Sequence, residues 1–153
     1  MEPTHDLNAD LTAQSKAIVS QFCEYLNRRE FENIRLLFGS AATWFVHGRP
    51  DKVPYAGTRP AGEQLNNASA LLGQFDSFTF QVTGITAEGE RVAIEAVSDG
   101  KGPHPNDRYQ NVYIIQFVLA DGKILSIREF LDNHEVQHFM ENKKKNSEQI
   151  EHV

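Results

Sequence analysis

Glu129 is the residue whose placement points most directly to chemistry. It stands between Ile127 and Leu131 in KILSIREFL, residues 123–131, a run of β-formers that follows an Asp121-Gly122 turn. Residues two apart share a face of a strand, so Glu129 shares an otherwise apolar one. A carboxylate on an apolar wall is costly unless it is hydrogen-bonded or functional. Desolvation there raises its pKa, which suits a general acid or base near neutral pH. On the preceding strand Asn111 can donate and accept, and Tyr113 can donate. Together they can orient a substrate carbonyl or hold an enolate oxygen. The other reading of the same three residues is structural: Glu129 anchors a buried network that Asn111 and Tyr113 satisfy.

Other residues of chemical interest are scattered. Trp44, the single tryptophan, either lines a pocket or fills the core. His47, at the end of the same strand, is a second acid or base if it turns toward a cavity mouth, and otherwise a solvent-facing loop histidine. Tyr55 and Tyr109 fit a cavity rim. His134-Glu135-Val136-Gln137-His138 matches H-E-x-x-H, but only 15 residues follow it and no further histidine ligand is spaced for zinc, so no metal is expected. Cys23 reads as a small core residue. No Walker or GxGxxG sequence occurs, and no cofactor is expected.

The elements that must position these residues follow from periodicity. Leu11, Ile18, Val19, Phe22, Tyr25 and Leu26 mark an amphipathic helix over about 9–28. A second helix fits 30–38, stopped by Gly39. A strand over 41–47 is followed by a Gly/Pro-rich loop over 48–58, and Thr58 is placed to cap a helix over 59–74. From Ser77 the period becomes two: strands at 77–86 and 91–98, a loop at 99–107, then the strands from Tyr109 to Ala120 and Lys123 to Leu131. A last helix starts near Asp132 or Asn133 and carries Val136, Phe139 and Met140. Segregated helices and an antiparallel meander indicate the α+β class. One domain over 9–140 is expected, between a loose N-terminus (1–8) and a polar tail (141–153) that includes the solvated run Lys143 to Lys145.

Composition narrows the class further. A net charge of −6 from 21 acids and 15 Lys plus Arg disfavours nucleic acid and anionic membrane as partners. A single cysteine excludes an internal disulfide, and no apolar run approaches the roughly 18 residues of a membrane span. With no leader-like N-terminus, a cytoplasmic protein is expected.

ATWFVHG at 42–48, PYAGTRPAGEQL at 54–65 and above all RYQNVYIIQFVLADGKILSIREFLD at 108–132 resemble the nuclear-transport-factor-2-like superfamily, in its SnoaL-like and ketosteroid-isomerase-related branch. The resemblance implies a cone-shaped α+β barrel, with a curved antiparallel sheet wrapped around three N-terminal helices and closed by a short C-terminal helix. It implies an apolar pocket on the concave face. Alternation then turns Trp44, Val46, Tyr109, Asn111, Tyr113, Ile115, Phe117, Leu125, Ile127, Glu129 and Leu131 inward, with Phe22 of the first helix and Phe80 beside them. Related hydrolases and cyclases are similar in having a pocket carboxylate at the position of Glu129.

The departures bear on the reaction. At the positions of the ketosteroid isomerase base, helix tyrosine and second aspartate stand Val46, Phe22 and Tyr113. The Asp-Arg-Asp set of limonene-type epoxide hydrolases is also absent, with Asn111 and Tyr113 near two of its places and no arginine expected to face inward.

The implied function is a cofactor-independent isomerase, cyclase or dehydratase acting on a small apolar molecule such as a polyketide- or terpenoid-like metabolite. Glu129 would move the proton, and Asn111 and Tyr113 would hold the oxygen. Phe22, Trp44, Val46, His47, Tyr55, Phe80, Tyr109, Ile127 and Leu131 would contact the ligand. The alternatives are an epoxide-hydrolase-like enzyme, a non-catalytic small-molecule binder, and an interaction module with a filled pocket. Val112, Ile114, Val118, Ile124 and Phe130 are expected on the outer face, where a second copy of the chain would cover them in a homodimer.

Overall fold

Asp6 begins the first helix: its carboxylate accepts from the N–H groups of Asn8 and Ala9. The computed structural model describes residues 6–151, so residues 1–5 of the expected loose N-terminus lie outside the described residues. Residues 6–8 are the cap and first turn of α1 (Leu7–Arg28). Then come α2 (Phe31–Arg35), β1 (Phe38–Val46), β2 (Gly57–Pro60), α3 (Ala61–Leu72), β3 (Ser77–Glu88), β4 (Arg91–Lys101), β5 (Arg108–Ala120), β6 (Lys123–Leu131) and α4 (Asn133–Glu151). The strands form one curved six-stranded sheet in the order β2-β1-β6-β5-β4-β3, parallel only between β1 and β6. No described helix is long and apolar enough to cross a membrane.

Several local expectations yield to tertiary hydrogen bonds. The second helix stops at Arg35 rather than near Gly39, because β6 captures the chain: Ile124 donates to the Leu37 carbonyl and Lys123 Nζ to the Leu36 carbonyl. Phe38 and Gly39 thereby enter β1. Thr58 caps nothing. It lies in β2 opposite Phe45, and α3 starts after Pro60 without a side-chain cap. The expected polar tail continues as helix from residue 141, and Lys143 of the basic run reaches Asp107 at 3.3 Å. Asn146 donates to the same buried carboxylate at 2.9 Å, tying α4 to the loop before β5.

The inner face of the sheet packs on α1. Phe22 is fully buried, 5.1 Å from the ring of Phe117 and 5.9 Å from that of Trp44. Alternation along β5 holds throughout: Tyr109, Asn111, Tyr113, Ile115 and Phe117 are buried while the residues between them are exposed or half-exposed. On β6 it breaks. Val118 pairs with Ser126 and Leu119 with Ile124, so Leu125 is an extra, bulged residue. Leu125, expected inward, is therefore exposed, and Ile124, expected outward, is fully buried.

Beside the sheet, Phe75 stacks on Phe78 and Tyr109 and meets Phe139 of α4 at 4.9 Å. It lies over Gly100, where an added Cβ would stand 2.8 Å from the ring. Gly100→Ala is expected to destabilise the fold by about 1–3 kcal/mol through overpacking, read as a lower urea midpoint. An unchanged midpoint would mean that the ring shifts freely.

Candidate functional site

Strand register lays the inner face out in rows. Trp44, Ile127 and Phe117 form one, Val46, Glu129 and Ile115 the next, then Leu131, Tyr113 and Ala96, then Asn111, Ser98 and Phe80. Between these rows and α1, α3, α4 and the Pro54–Tyr55 segment lies a cavity of about 850 Å³. Its wall is mostly apolar. Glu129, Tyr109 and Tyr113 bring polar atoms to the sheet side, and Arg59, Gln64, Asn67 and Gln137 to the helical side and mouth.

Glu129 is flanked across the strands by Val46 and Ile115, each 2% exposed. The Trp44 indole N–H donates to its Oε1 at 2.9 Å. Burial pushes the carboxyl up to about 7, against the opposing effect of the Trp44 hydrogen bond. The carboxyl therefore exchanges a proton near neutrality while facing an apolar space. The Tyr55 phenol is pushed up to about 12, by burial first and then by the charges of Glu129 and Asp132. Its hydroxyl donates to Asn133 Oδ1 at 2.8 Å, fixing it to the start of α4.

The cavity wall contains Phe22, Trp44, Val46, Tyr55, Phe80, Tyr109, Tyr113, Glu129 and Leu131 of the expected set. Three expected residues lie off it. His47 follows inward-facing Val46 and so turns out; it is exposed, with its ring 5.3 Å from that of Phe130. Ile127 is fully buried in the row behind Glu129. Asn111 neither reaches the cavity nor bonds Glu129. Its Oδ1 accepts from the N–H groups of Val112 and Asp132, and its Nδ2 donates to the Asp132 carbonyl and, at 2.8 Å, to the Tyr109 hydroxyl. It ties the end of β6 to β5 and orients Tyr109.

An arginine does face the cavity, contrary to expectation. Arg59 of β2 stands opposite Trp44 and shares its face. Its guanidinium donates to the carbonyls of Tyr55 and Pro54 and lies 3.8 Å from Glu63 Oε1. Nothing in the Gly/Pro-rich sequence marks this four-residue strand. Ser98, whose Oγ lies 2.9 Å from the Tyr113 hydroxyl, is equally unmarked in the sequence, because only the register of β4 on β5 brings it there. The inner face of α4 closes the cavity with Val136, Phe139 and Met140. On its other side the rings of His134 and His138 stack 6.3 Å apart in solvent. Among the described residues no three His, Cys, Asp or Glu side chains converge on a point.

The sequence pattern of the SnoaL-like domain matches residues 19–127. The chain is 27% identical over 135 residues to UPF0523 protein C of Dictyostelium discoideum, covering 83% of this chain and 86% of that protein. Among solved structures it is similar to PrhC from Penicillium brasilianum, with a TM-score of 0.76 at 13% identity, covering 90% of this chain and 92% of that one. It is also similar to an LEH-like epoxide hydrolase of M. tuberculosis, with a TM-score of 0.64 at 20% identity, covering 81% and 86%. At these identities the structural likenesses bear on the fold.

Proposed function

The chain belongs to the SnoaL-like family of the nuclear-transport-factor-2-like superfamily, and from that premise we propose that it is a cofactor-independent acid/base enzyme of isomerase, cyclase or dehydratase type, acting on a small, largely apolar molecule. The observation that carries this reading is the placement of the Glu129 carboxyl on the wall of an apolar cavity with the Trp44 indole N–H as its hydrogen-bond donor, where burial pushes it up to about 7.

In the reaction so read, the Glu129 carboxylate takes a proton from the carbon beside a substrate carbonyl. The C–H electron pair becomes a C=C bond and the carbonyl oxygen takes up the charge. Tyr113, on the same wall, stabilises that oxygen. Where a C=C bond is conjugated with the enolate, return of the proton from Glu129 to its far carbon completes an isomerisation; attack of the enolate carbon on a second carbonyl, whose oxygen takes the proton back from Glu129, completes a cyclisation. Trp44 orients the base, and Phe22, Phe80 and Leu131 shape the space for the skeleton. Asn111 acts at one remove, since its polar atoms are spent on the backbone and on Tyr109.

Arg59 on the cavity wall favours one second reading, addition of water to a strained ring such as an epoxide. Proton–deuterium exchange at the α-carbon of a panel of cyclic ketones, followed by proton NMR in D₂O, tests the first reading. Exchange catalysed by the wild type and lost in Glu129→Gln supports it. Equal exchange by both proteins, or turnover of epoxides alone, overturns it.

The proposal extends to a homodimer through the outer sheet face. Val112 is 59% exposed and Ile114 49%, beside Val97. Phe45 and Phe130 adjoin them with rings 6.0 Å apart, and the Arg128 guanidinium lies over Phe45. An apolar strip of this kind on a central strand calls for cover. Val112→Glu with Ile114→Glu is expected to convert a dimer to a monomer in sedimentation velocity at micromolar concentration. A monomeric wild type there contradicts the assignment.

A further inference from the structure

Four polar groups run in a line along the cavity wall and behind it. Asn111 Nδ2 lies 2.8 Å from Tyr109 Oη, Tyr109 Oη 3.2 Å from Tyr113 Oη, and Tyr113 Oη 2.9 Å from Ser98 Oγ. The direction of the first bond is set by backbone. Because Asn111 Oδ1 accepts from two N–H groups, its amide cannot turn over, and Nδ2 must donate to Tyr109. Three hydroxyl protons then remain for two oxygen–oxygen contacts, so one proton is left to point outside the line. Tyr109 and Tyr113 line the cavity, and Ser98 does not.

We infer that Tyr113 holds that spare proton: Tyr109 and Ser98 both donate to its oxygen, and its own O–H points into the cavity as the donor to a substrate carbonyl or enolate oxygen. Tyr113 is the more exposed of the two phenols, 9% against 2%, and the middle member of the line, the only one with a hydroxyl on either side. Two donors on one phenol oxygen stabilise its anion and so strengthen the donor it offers to the ligand. In the same sense, the hydrogen bonds from Ser98 and Tyr109 lower the Tyr113 pKa, although burial, first, and the charge of Glu129 keep it above the usual tyrosine range. Ser98 and Asn111 are thus positioning residues that act through the phenols.

This rests on the acid/base reading of the cavity and deepens it. The ligand it selects carries a carbonyl beside a carbon that faces Glu129. A carboxyl with a pKa near 7 on the same wall gives the base for that carbon.

The direction of the line is measurable without substrate. With 3,5-difluorotyrosine at position 113, the phenol ionises nearer neutrality and its pKa is read by ¹⁹F NMR. If Ser98 and Tyr109 both donate to it, Ser98→Ala and Tyr109→Phe each raise that pKa by about one unit, a tenfold change in acidity, and Ser98→Thr, which keeps the hydroxyl, leaves it near the parent value. A fall or no change in Ser98→Ala means that Ser98 gives the Tyr113 oxygen no stabilising hydrogen bond and overturns the inference. A fall in Tyr109→Phe overturns it equally, because the spare proton then belongs to Tyr109. The titration is independent of turnover, so its failure is distinct from failure of the ketone-exchange test. Folding of each variant is checked by its ¹⁹F line dispersion and urea midpoint.

Discussion

Glu129→Gln is expected to lower turnover about 10²–10⁴-fold, the range carried by a positioned general base, with a much smaller change in ligand affinity. Glutamine keeps the shape and an acceptor for the Trp44 indole N–H, so the cavity wall stays intact and only the proton acceptor is lost. The wild-type rate should climb with pH as the carboxyl ionises and level off above about 7. Trp44→Phe should move that inflection upward, because the Trp44 hydrogen bond that favours the charged form is gone. A pH-independent rate between 5 and 9 would remove Glu129 from the proton transfer.

Stability should run the opposite way. The carboxyl's pKa rises from an ordinary 4.5 to about 7 on folding. Between those values the folded state binds the proton and the unfolded state does not, so stability falls as pH rises through this window. The shift corresponds to about 3 kcal/mol, lost in full above pH 7. Glu129→Gln carries no charge and escapes this loss. Its stability relative to wild type should therefore grow from near zero at pH 4.5 to about 3 kcal/mol at pH 8, measured by urea unfolding. Coincident pH profiles of stability for the two proteins would show that the carboxyl is not desolvated in solution. Loss of activity with gain of stability is the signature of a functional carboxyl, since a purely structural anchor would lose both.

Asn111→Leu is the second large effect, and it falls on the fold. Leucine fills the space but leaves the N–H groups of Val112 and Asp132 and the Asp132 carbonyl without their Asn111 partner, and takes from the Tyr109 hydroxyl one of its two partners. Each partly buried group so orphaned costs up to about 1–3 kcal/mol, relieved in part by water at exposed Val112 and Asp132, for an expected total of about 3–5 kcal/mol. That is a large part of the roughly 5–15 kcal/mol that holds a domain of this size together. The damage should be greatest where β6 passes into α4, so amide exchange should quicken at Asp132 and along the first turns of α4. A loss below about 1 kcal/mol would mean that the end of β6 is held by α4 packing instead.

The features legible in the sequence are those that neighbouring residues settle among themselves. Alternation along β5 put Tyr109, Tyr113 and Ile115 on one face, and the chain keeps them there. Glu129 was identifiable for the same reason, as the carboxylate on the apolar side of a strand, and helical spacing placed Phe22 inward. Parity is a local property of extended backbone, and it survives until a bulge inserts one residue.

The tertiary structure alone decided what depends on partners distant in sequence. The Leu125 bulge exists because β6 must keep step with β5 on both sides of it. β2 is a strand because β1 offers it hydrogen bonds, and that pairing brings Arg59 to the cavity. The side chain of Asn111 is spent at the junction of β5 and β6 because Val112 of its own strand and Asp132 at the end of β6 each present an N–H group to its side-chain oxygen. Side-chain type determines which hydrogen bonds a residue can make; which ones it does make is settled by the strands and helices that the fold brings beside it.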